Sequence, residues 1–214
     1  MRKLILKMSV SVDGFVGGPN GEISWIFRSM DNSVLEWTED LLWKSGVHIM
    51  GSRTFHDMAC YWPYSTEPLA VPMNEIPKVV FTKKGFIETT NEELTTNALK
   101  DARVNSEGLF NTSDTVSLHA STWAHAIITR GSLKDEIMQL KQQDGGNILA
   151  HGGAGFARSL VQSGLIDEYQ LLIHPVILGK GLPLFSTIIT PLNLKLENSI
   201  IFKTGVIANT YTPL

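Results

Sequence analysis

Apolar and polar positions alternate through Lys3–Val12 (KLILKMSVSV) and stop at the turn signal Asp13–Gly14, so the spacing predicts a first strand that ends at Ser11–Asp13. A loop through Gly17, Gly18, Pro19 and Gly21 follows. At Asp31–Ser45 the period changes. Val34, Trp37, Leu41 and Leu42 recur at helical spacing, and Asp31 or Ser33 can cap the start. Trp37 and Trp43 are expected to pack inward, as helical aromatic stripes do. Gly46–Met50 (GVHIM) reads as a short buried strand broken by Gly51, and Ser52 or Thr54 can start the next helix, through Phe55 and Met58. Pro63, Pro68, Pro72 and Pro77 punctuate a loop that delivers the chain to a third strand, Lys78–Thr82 (KVVFT).

The next stretch, Phe86–Thr122, is rich in Thr, Asn, Ser and Glu and has little apolar periodicity. It is expected to be a polar surface insertion, with a small hairpin or partial disorder, inside a single domain spanning 1–214. Ala126–Thr129 resumes the pattern as a strand, and Ser132 caps a helix through Leu133, Ile137 and Leu140. The apolar run Ile148–Ala150 then breaks at Gly152–Gly153, and Phe156, Ala157, Leu160 and Val161 open a helix at once. Asp167–Leu178 is strand-like, Gly179–Gly181 a turn, and Leu182–Phe185 a packing segment. Leu192–Phe202 and Gly205–Tyr211 read as two more strands. Strands alternate with helices first and then follow one another without helices. That order predicts an α/β fold whose mixed sheet is mostly parallel, with antiparallel strands at the C-terminal end.

Composition narrows the possible functions. With 43% hydrophobic residues and a net charge of −3, the 214 residues fit a soluble globular chain with a sizeable core. Lys and Arg are scattered, which points away from nucleic acid and from anionic membranes. Leu4–Val10 is too short for a membrane span. The single cysteine, Cys60, excludes an intramolecular disulfide, and with no signal-peptide pattern it favours a reducing cytoplasm. His48, His56, His119, His125, His151 and His174 show no ligand spacing, so no metal site is expected.

The chemistry lies at the strand ends. In Asn147–Leu160 (NILAHGGAGFARSL) a strand, a glycine turn and a helix follow without a linker. Such a turn aims backbone N–H groups and the positive end of a helix dipole at one spot, and glycines let a phosphate come close. Met50–Phe55 is a second junction of the same kind and carries Arg53, a cation able to meet a phosphate. The third strand ends in Thr82, Lys83 and Lys84, a hydroxyl and two ammonium groups suited to the 2′-phosphate of NADP. The glycine-rich loop after the first strand stands at the sheet edge where α/β proteins bind ligands, so it is either a lid or a long connection. Asp13 is either a turn former or a site residue.

The run HGGAGFARSLVQSGLIDEYQLLIHPVILGKGLPLF is similar to the C-terminal reductase domain of the bifunctional riboflavin-synthesis deaminase/reductase, within the dihydrofolate-reductase-like superfamily. SVSVDGFVGG, MGSRTF and FKTGVIANTYTP resemble the same family in the same order, so the likeness covers nearly the whole chain outside Phe86–Thr122. It implies a three-layer dihydrofolate-reductase-like fold, NADPH as hydride donor, a small-molecule substrate and commonly a homodimer. It further implies that Gly51, Ser52, Arg53 and Thr54 hold the cofactor's phosphates, and that Thr82 and Lys83 meet the adenosine end. Gly152, Gly153, Ala154, Gly155 and Phe156 would line the pyrophosphate and nicotinamide ribose. Val10–Asp13 would lie beside the nicotinamide and the substrate, with Gly14–Ser24 as the lid and Trp25 as its anchor.

The chain departs from the family in its acids. Dihydrofolate reductases carry a carboxylate on the first helix. Counting from Trp25 reaches Asp31, whereas counting back from Gly51 reaches Leu35, beside Glu36. Asp31, at a helix start, is more often an N-cap. The riboflavin-pathway enzymes have a glutamate where His151 stands, and their deaminase domain has no counterpart here. Asp13, Asp31, Glu36 and His151 are the candidate proton sources. The reading is a reductase delivering hydride to a C=N or C=O bond; the alternative is a regulatory module that kept the nucleotide cradle without turnover. A P-loop hydrolase is disfavoured, because no glycine loop is followed by Lys-Ser or Lys-Thr.

Overall fold

A strand buried on both faces has to be apolar on both, and β1 (Leu4–Ser11) meets that demand at five of its eight positions, the exceptions being Lys7, Ser9 and Ser11. The computed structural model describes residues 1–82, 96–106 and 121–214. The other strands are β2 (Ser45–Gly51), β3 (Lys78–Phe81), β4 (Ile127–Thr129), β5 (Asn147–Ala150), β6 (Glu168–His174), β7 (Leu194–Ile201) and β8 (Ile207–Pro213). They form one sheet in the order β4-β3-β2-β5-β1-β6-β8-β7. β1 is parallel to both its neighbours, β5 and β6, while β6–β8 and β8–β7 are antiparallel. The α/β class, the parallel centre and the antiparallel C-terminal strands are therefore as the pattern predicts. Parallel pairing brings the carboxyl ends of β1, β2, β3 and β5 to one edge, where ligands of such sheets bind.

The helices are α1 (Ser24–Phe27), α2 (Asn32–Trp43), α3 (Ser52–Ala59), α4 (Ala70–Glu75), α5 (Asn97–Asn105), α6 (Ser121–Ala124), α7 (Leu133–Gln142) and α8 (Ala154–Ser163). Alternation along β1 sends its side chains to two cores. Leu4, Leu6, Met8 and Val10 pack with Ile137 and Leu140 of α7 and with Ala157, Leu160 and Val161 of α8. Ile5 faces the other way and joins Leu41 and Leu42 of α2, Met73 of α4 and Trp123 of α6. The result is three layers with the sheet in the middle. Side chains such as Leu6 and Leu160, fully buried, each contribute about 1.5–3 kcal/mol by leaving water.

Several local expectations are corrected. Trp43 is 47% exposed rather than packed inward; the buried stripe of α2 is Val34, Thr38, Leu41 and Leu42. The proline-punctuated loop holds a 3₁₀ turn at Trp62–Tyr64 and the helix α4. Pro72 is its third residue, in the first turn, where a missing N–H costs no helical bond. The strand expected over Asp167–Leu178 ends at His174, because Pro175 cannot donate to the ladder.

The polar stretch Phe86–Thr122 contains a helix. Thr96 caps α5 through its Oγ1, which accepts from the Leu99 amide at 3.1 Å, and Leu99 is buried. The expected hairpin or disorder falls on 83–95 and 107–120, outside the described residues, as does Lys83. α5 holds the loop after β1. Asp101 Oδ2 accepts from the amides of Ile23 (2.7 Å) and Ser24 (2.8 Å), and Asn97 Nδ2 donates to the Asn20 carbonyl (3.2 Å). At its other end Arg103 donates to the Cys60 carbonyl, just past α3. The first half of the same loop is also tied. Val16 N donates to Leu182 O and Leu182 N to Gly17 O, each at 2.9 Å, beside a bridge between Phe15 and Pro183.

Candidate functional site

β2 and β5 are neighbours in parallel register, Ile49 opposite Ala150, so the helices that follow them start side by side. The N-cap of α3 is Gly51 and that of α8 is Gly153, and no side chain caps either helix. The first-turn amides of two adjacent helices are thus left for an external acceptor. The two starts touch. A Cβ on Gly153 would strike Thr54 Oγ1, and one on Gly51 would lie 3.2 Å from Phe156 Cβ. Gly153 has φ +91°, which side-chain-bearing residues rarely adopt. Gly155 faces open space, with nothing within 4 Å of where its Cβ would be. Bare backbone, two positive helix ends and an open surface suit a diphosphate.

The remaining expected cofactor residues gather around this point to different degrees. Ser52 and Thr54 lie in the first turn of α3, half-buried, and Arg53 between them is exposed. Ala154 packs partly into the core, and the Phe156 ring meets that of Phe81 at 5.3 Å, at the end of β3. Thr82 follows, its amide donating to Thr129 O on β4. The Val10 side chain is buried with the α8-facing core, so only its backbone is available to a ligand.

The expected acids are placed elsewhere. Asp13 Oδ1 accepts from Ser11 Oγ (2.6 Å) and Leu178 N (3.2 Å), and its Oδ2 from Gly179 N (2.7 Å). These bonds hold its carboxyl below the usual range and pin the end of β1 to the turn after β6. Asp31 caps α2 by accepting from Val34 N at 3.0 Å, beside Phe202 and Lys203 of the β7–β8 turn. Glu36 is exposed on α2. Neither Asp13 nor Asp31 is joined to the glycine cradle.

His151 is joined to it: it stands between the end of β5 and Gly152, and it is buried. Around it, on the face turned to α2, is a set of bases that the sequence reading passed over. His48 meets His151 edge to face, and Lys78 is the register partner of His48 on β3. Lys7 lies on β1 one residue past the pair Leu6–Ala150, just as His151 does on β5. His174 ends β6 opposite Ser11, touches the Trp25 ring at 5.4 Å, and places Nδ1 2.8 Å from Ser29 Oγ. Burial and neighbouring positive charge push His151 down to about 3 and His174 to about 4. Burial alone pushes Lys7 to about 8 and Lys78 to about 7. One signal was available: a lysine in the middle of an apolar first strand is out of place if that strand is central.

Among the described residues no group of three or more His, Cys, Asp or Glu can hold a metal ion, and no helix is long and apolar enough to cross a membrane.

The uncharacterized protein YyaP of Bacillus subtilis (strain 168) is 28% identical to this chain over 210 residues, covering 98% of the chain and 94% of YyaP. Among solved structures, the diaminohydroxyphosphoribosylaminopyrimidine deaminase/5-amino-6-(5-phosphoribosylamino)uracil reductase of Thermotoga maritima superposes with a TM-score of 0.63 at 16% identity. That alignment covers 100% of this chain and 57% of that one. Dihydrofolate reductase of Enterococcus faecalis, solved with NADP(H), superposes with a TM-score of 0.56 at 13% identity over 99% of this chain and 96% of that one. The dihydrofolate-reductase-like fold is thus shared. A family model described as the RibD C-terminal domain matches residues 2–208, and the chain belongs to that family.

Proposed function

We propose that this protein is an NADPH-dependent reductase that transfers hydride to a C=N or C=O bond of a small heterocycle, pterin- or pyrimidine-like, and works as a homodimer. The observation that carries the reading is the contact between the starts of α3 and α8, where Gly153 meets Thr54 and neither helix has a side-chain cap. Membership of a reductase-domain family supports it.

In this reading the amides of Ser52–Thr54 and Ala154–Phe156 hold the pyrophosphate, and the Arg53 guanidinium adds charge at its exposed rim. Bound NADPH supplies the hydride. The chain's part is to fix the nicotinamide against the carboxyl end of β1, orient the acceptor carbon and keep water out. The Phe156–Phe81 pair walls one side, and the loop Gly14–Ser24 covers the other.

The test is a titration with NADPH and with NADH, read as energy transfer from the tryptophans to the reduced nicotinamide. Saturable transfer with NADPH, weakened about tenfold or more by Arg53→Ala, is expected; no transfer with either cofactor overturns the reading. The structural employment of both Asp13 and Asp31 favours one alternative, a nucleotide-binding regulatory module without turnover. That module would bind NADPH tightly yet oxidise it with no member of a pterin, pyrimidine and flavin-precursor panel.

A further inference from the structure

The glycine-rich loop between β1 and α1 is held at its start, its tip and its end. At the start Ser11 Oγ accepts from Phe15 N at 3.0 Å, and Leu184 N donates to Gly14 O at 3.1 Å. Val16 and Leu184 are both buried in the core on the α8 side, and Gly181 lies so close that a Cβ there would strike Gly17 O. The tip is closed on itself. Gly18 N donates to Glu22 O at 2.9 Å and Gly21 N to Gly18 O at 3.0 Å. The Glu22 carboxylate accepts from Asn20 N at 3.0 Å and from Asn20 Nδ2 at 2.9 Å. The end rests on α5 through Asp101 and Asn97, and Trp25 Nε1 donates back to Glu22 O at 3.2 Å. A segment built to swing open has few such bonds to break.

α5 is itself fastened to α3. The Thr96 hydroxyl bonds the Asp57 carboxyl. Just past α3, the Tyr61 hydroxyl and Ser106 Oγ are 2.8 Å apart and Arg103 reaches the Cys60 carbonyl. Leu99, between these points, is only 3% exposed. Sheet order then says where the loop runs. One anchor is the segment after β6, and the other rests on the helix after β2. The order β2-β5-β1-β6 places β5 and β1 between them. The loop therefore spans the carboxyl ends of those two strands, beside His151, Gly152 and the start of the cradle.

We propose that this loop is a fixed strap over the nicotinamide end of the cleft rather than a lid that opens and closes, and that Asp101 is the positioning residue that fixes it. The identity of what passes beneath rests on the reductase reading. The nicotinamide half of NADPH then has to be threaded under a strap already in place. The strap keeps the same bonds whether the cleft is empty or full, so it raises the barrier between those states without changing their difference in energy. Asp101 thus sets how fast NADPH enters and leaves, with little effect on how tightly it is held.

The first arm of the test is amide hydrogen exchange on the full-length, ligand-free protein. The amides of Val16, Gly18, Ile23 and Ser24 are expected to be protected at least about a hundredfold, and saturating NADP⁺ should change them less than about threefold. Asp101→Ala should release Ile23 and Ser24, and Asp101→Asn, which keeps one acceptor oxygen, should restore part of the protection. The second arm is stopped-flow energy transfer from the tryptophans to NADPH. In Asp101→Ala the on-rate and the off-rate should rise together, by about tenfold or more, while Kd stays within about twofold. Loop amides that exchange freely until NADP⁺ is added, or NADPH rates that Asp101→Ala leaves unchanged, overturn the inference. The two readings fail separately. If NADPH gives no energy transfer while the loop amides are protected, the reductase reading falls and the fixed loop stands; if NADPH binds and those amides are free beforehand, the fixed loop falls.

Discussion

His48 on β2 and His151 beyond β5 meet with ring centroids 4.4 Å apart and planes at 72°, and three of their four nitrogens, both of His48 and Nε2 of His151, have no partner among the described residues. Both rings are held neutral by burial, with His151 at about 3 and His48 lowered well below its ordinary value. The unfolded chain takes up protons as the pH falls through about 6.5, while the folded chain does not until far lower. The stability these groups contribute is therefore complete above about pH 6.5 and is lost on acidification. Each histidine adds a slope of up to about 1.4 kcal/mol per pH unit. Thermal melts at pH 7, 6 and 5 should fall progressively. His48→Leu should flatten the dependence; a melting temperature constant over that range would show that the rings are solvated.

Gly153 and Gly155 differ by two positions and should respond oppositely. Gly153→Ala places a Cβ against Thr54 Oγ1 at a φ of +91°, which costs about 1–2 kcal/mol in backbone strain alone. Its melting temperature and its NADPH affinity should both drop. Gly155→Ala adds a methyl to open space inside a helix and should gain up to about 1 kcal/mol of stability, while NADPH affinity falls at least several-fold. Unchanged affinity in Gly155→Ala would remove the diphosphate from that surface.

Asp101 holds two backbone amides of the loop from an element nearly 80 positions away. Asp101→Ala leaves both donors without their carboxylate, at about 1.5–3 kcal/mol for each charged bond. Limited proteolysis should then cut the chain near Asn20–Ser24, and KM for the substrate should rise with little change in NADPH affinity. A protease pattern identical to that of the parent would show that the loop is held by the Leu182 segment alone.

β7 is one of the two edge strands of the sheet, and it exposes Leu196 (52%) and Ile201 (76%), with Leu192 (41%) just before it. Apolar side chains on an unpaired edge invite another chain. A second copy is the expected occupant. Light scattering should give a dimer for the parent and a monomer for Leu196→Lys; a parent that stays monomeric at micromolar concentration would leave the homodimer without support.

The strand–glycine–helix junctions were legible because each is local: an apolar run, a glycine and a helical period lie within about a dozen residues. The antiparallel end of the sheet was legible for the same reason. Trp43 was misplaced because the helical period alone does not say how wide the buried stripe is, and α2 turns that side to water. α4 was hidden by Pro72, whose position in a first turn is visible only once the helix start is known. Of the bases on the α2-facing side, His151 was legible from its place before Gly152, but Lys7, His48 and His174 were missed because the four lie on or beside four different strands. Only the sheet order, which alternation within one strand does not encode, sets them side by side.

That same order has a consequence for synthesis on the ribosome. Of this sheet's strands β1 is the first to emerge, yet both strands that flank it begin only at Asn147 and Glu168. A nascent chain of 140 residues can pair β2, β3 and β4, but it has nothing to cover LILKMSVS. Of the strands in this sheet the first to be made waits for a partner that begins only at Asn147, and loop closure over so long a separation slows that step. Lys7, costly in the finished sheet, interrupts the most apolar stretch of the waiting strand with a charge during that interval. That charge discourages the exposed strand from joining a neighbour's chain.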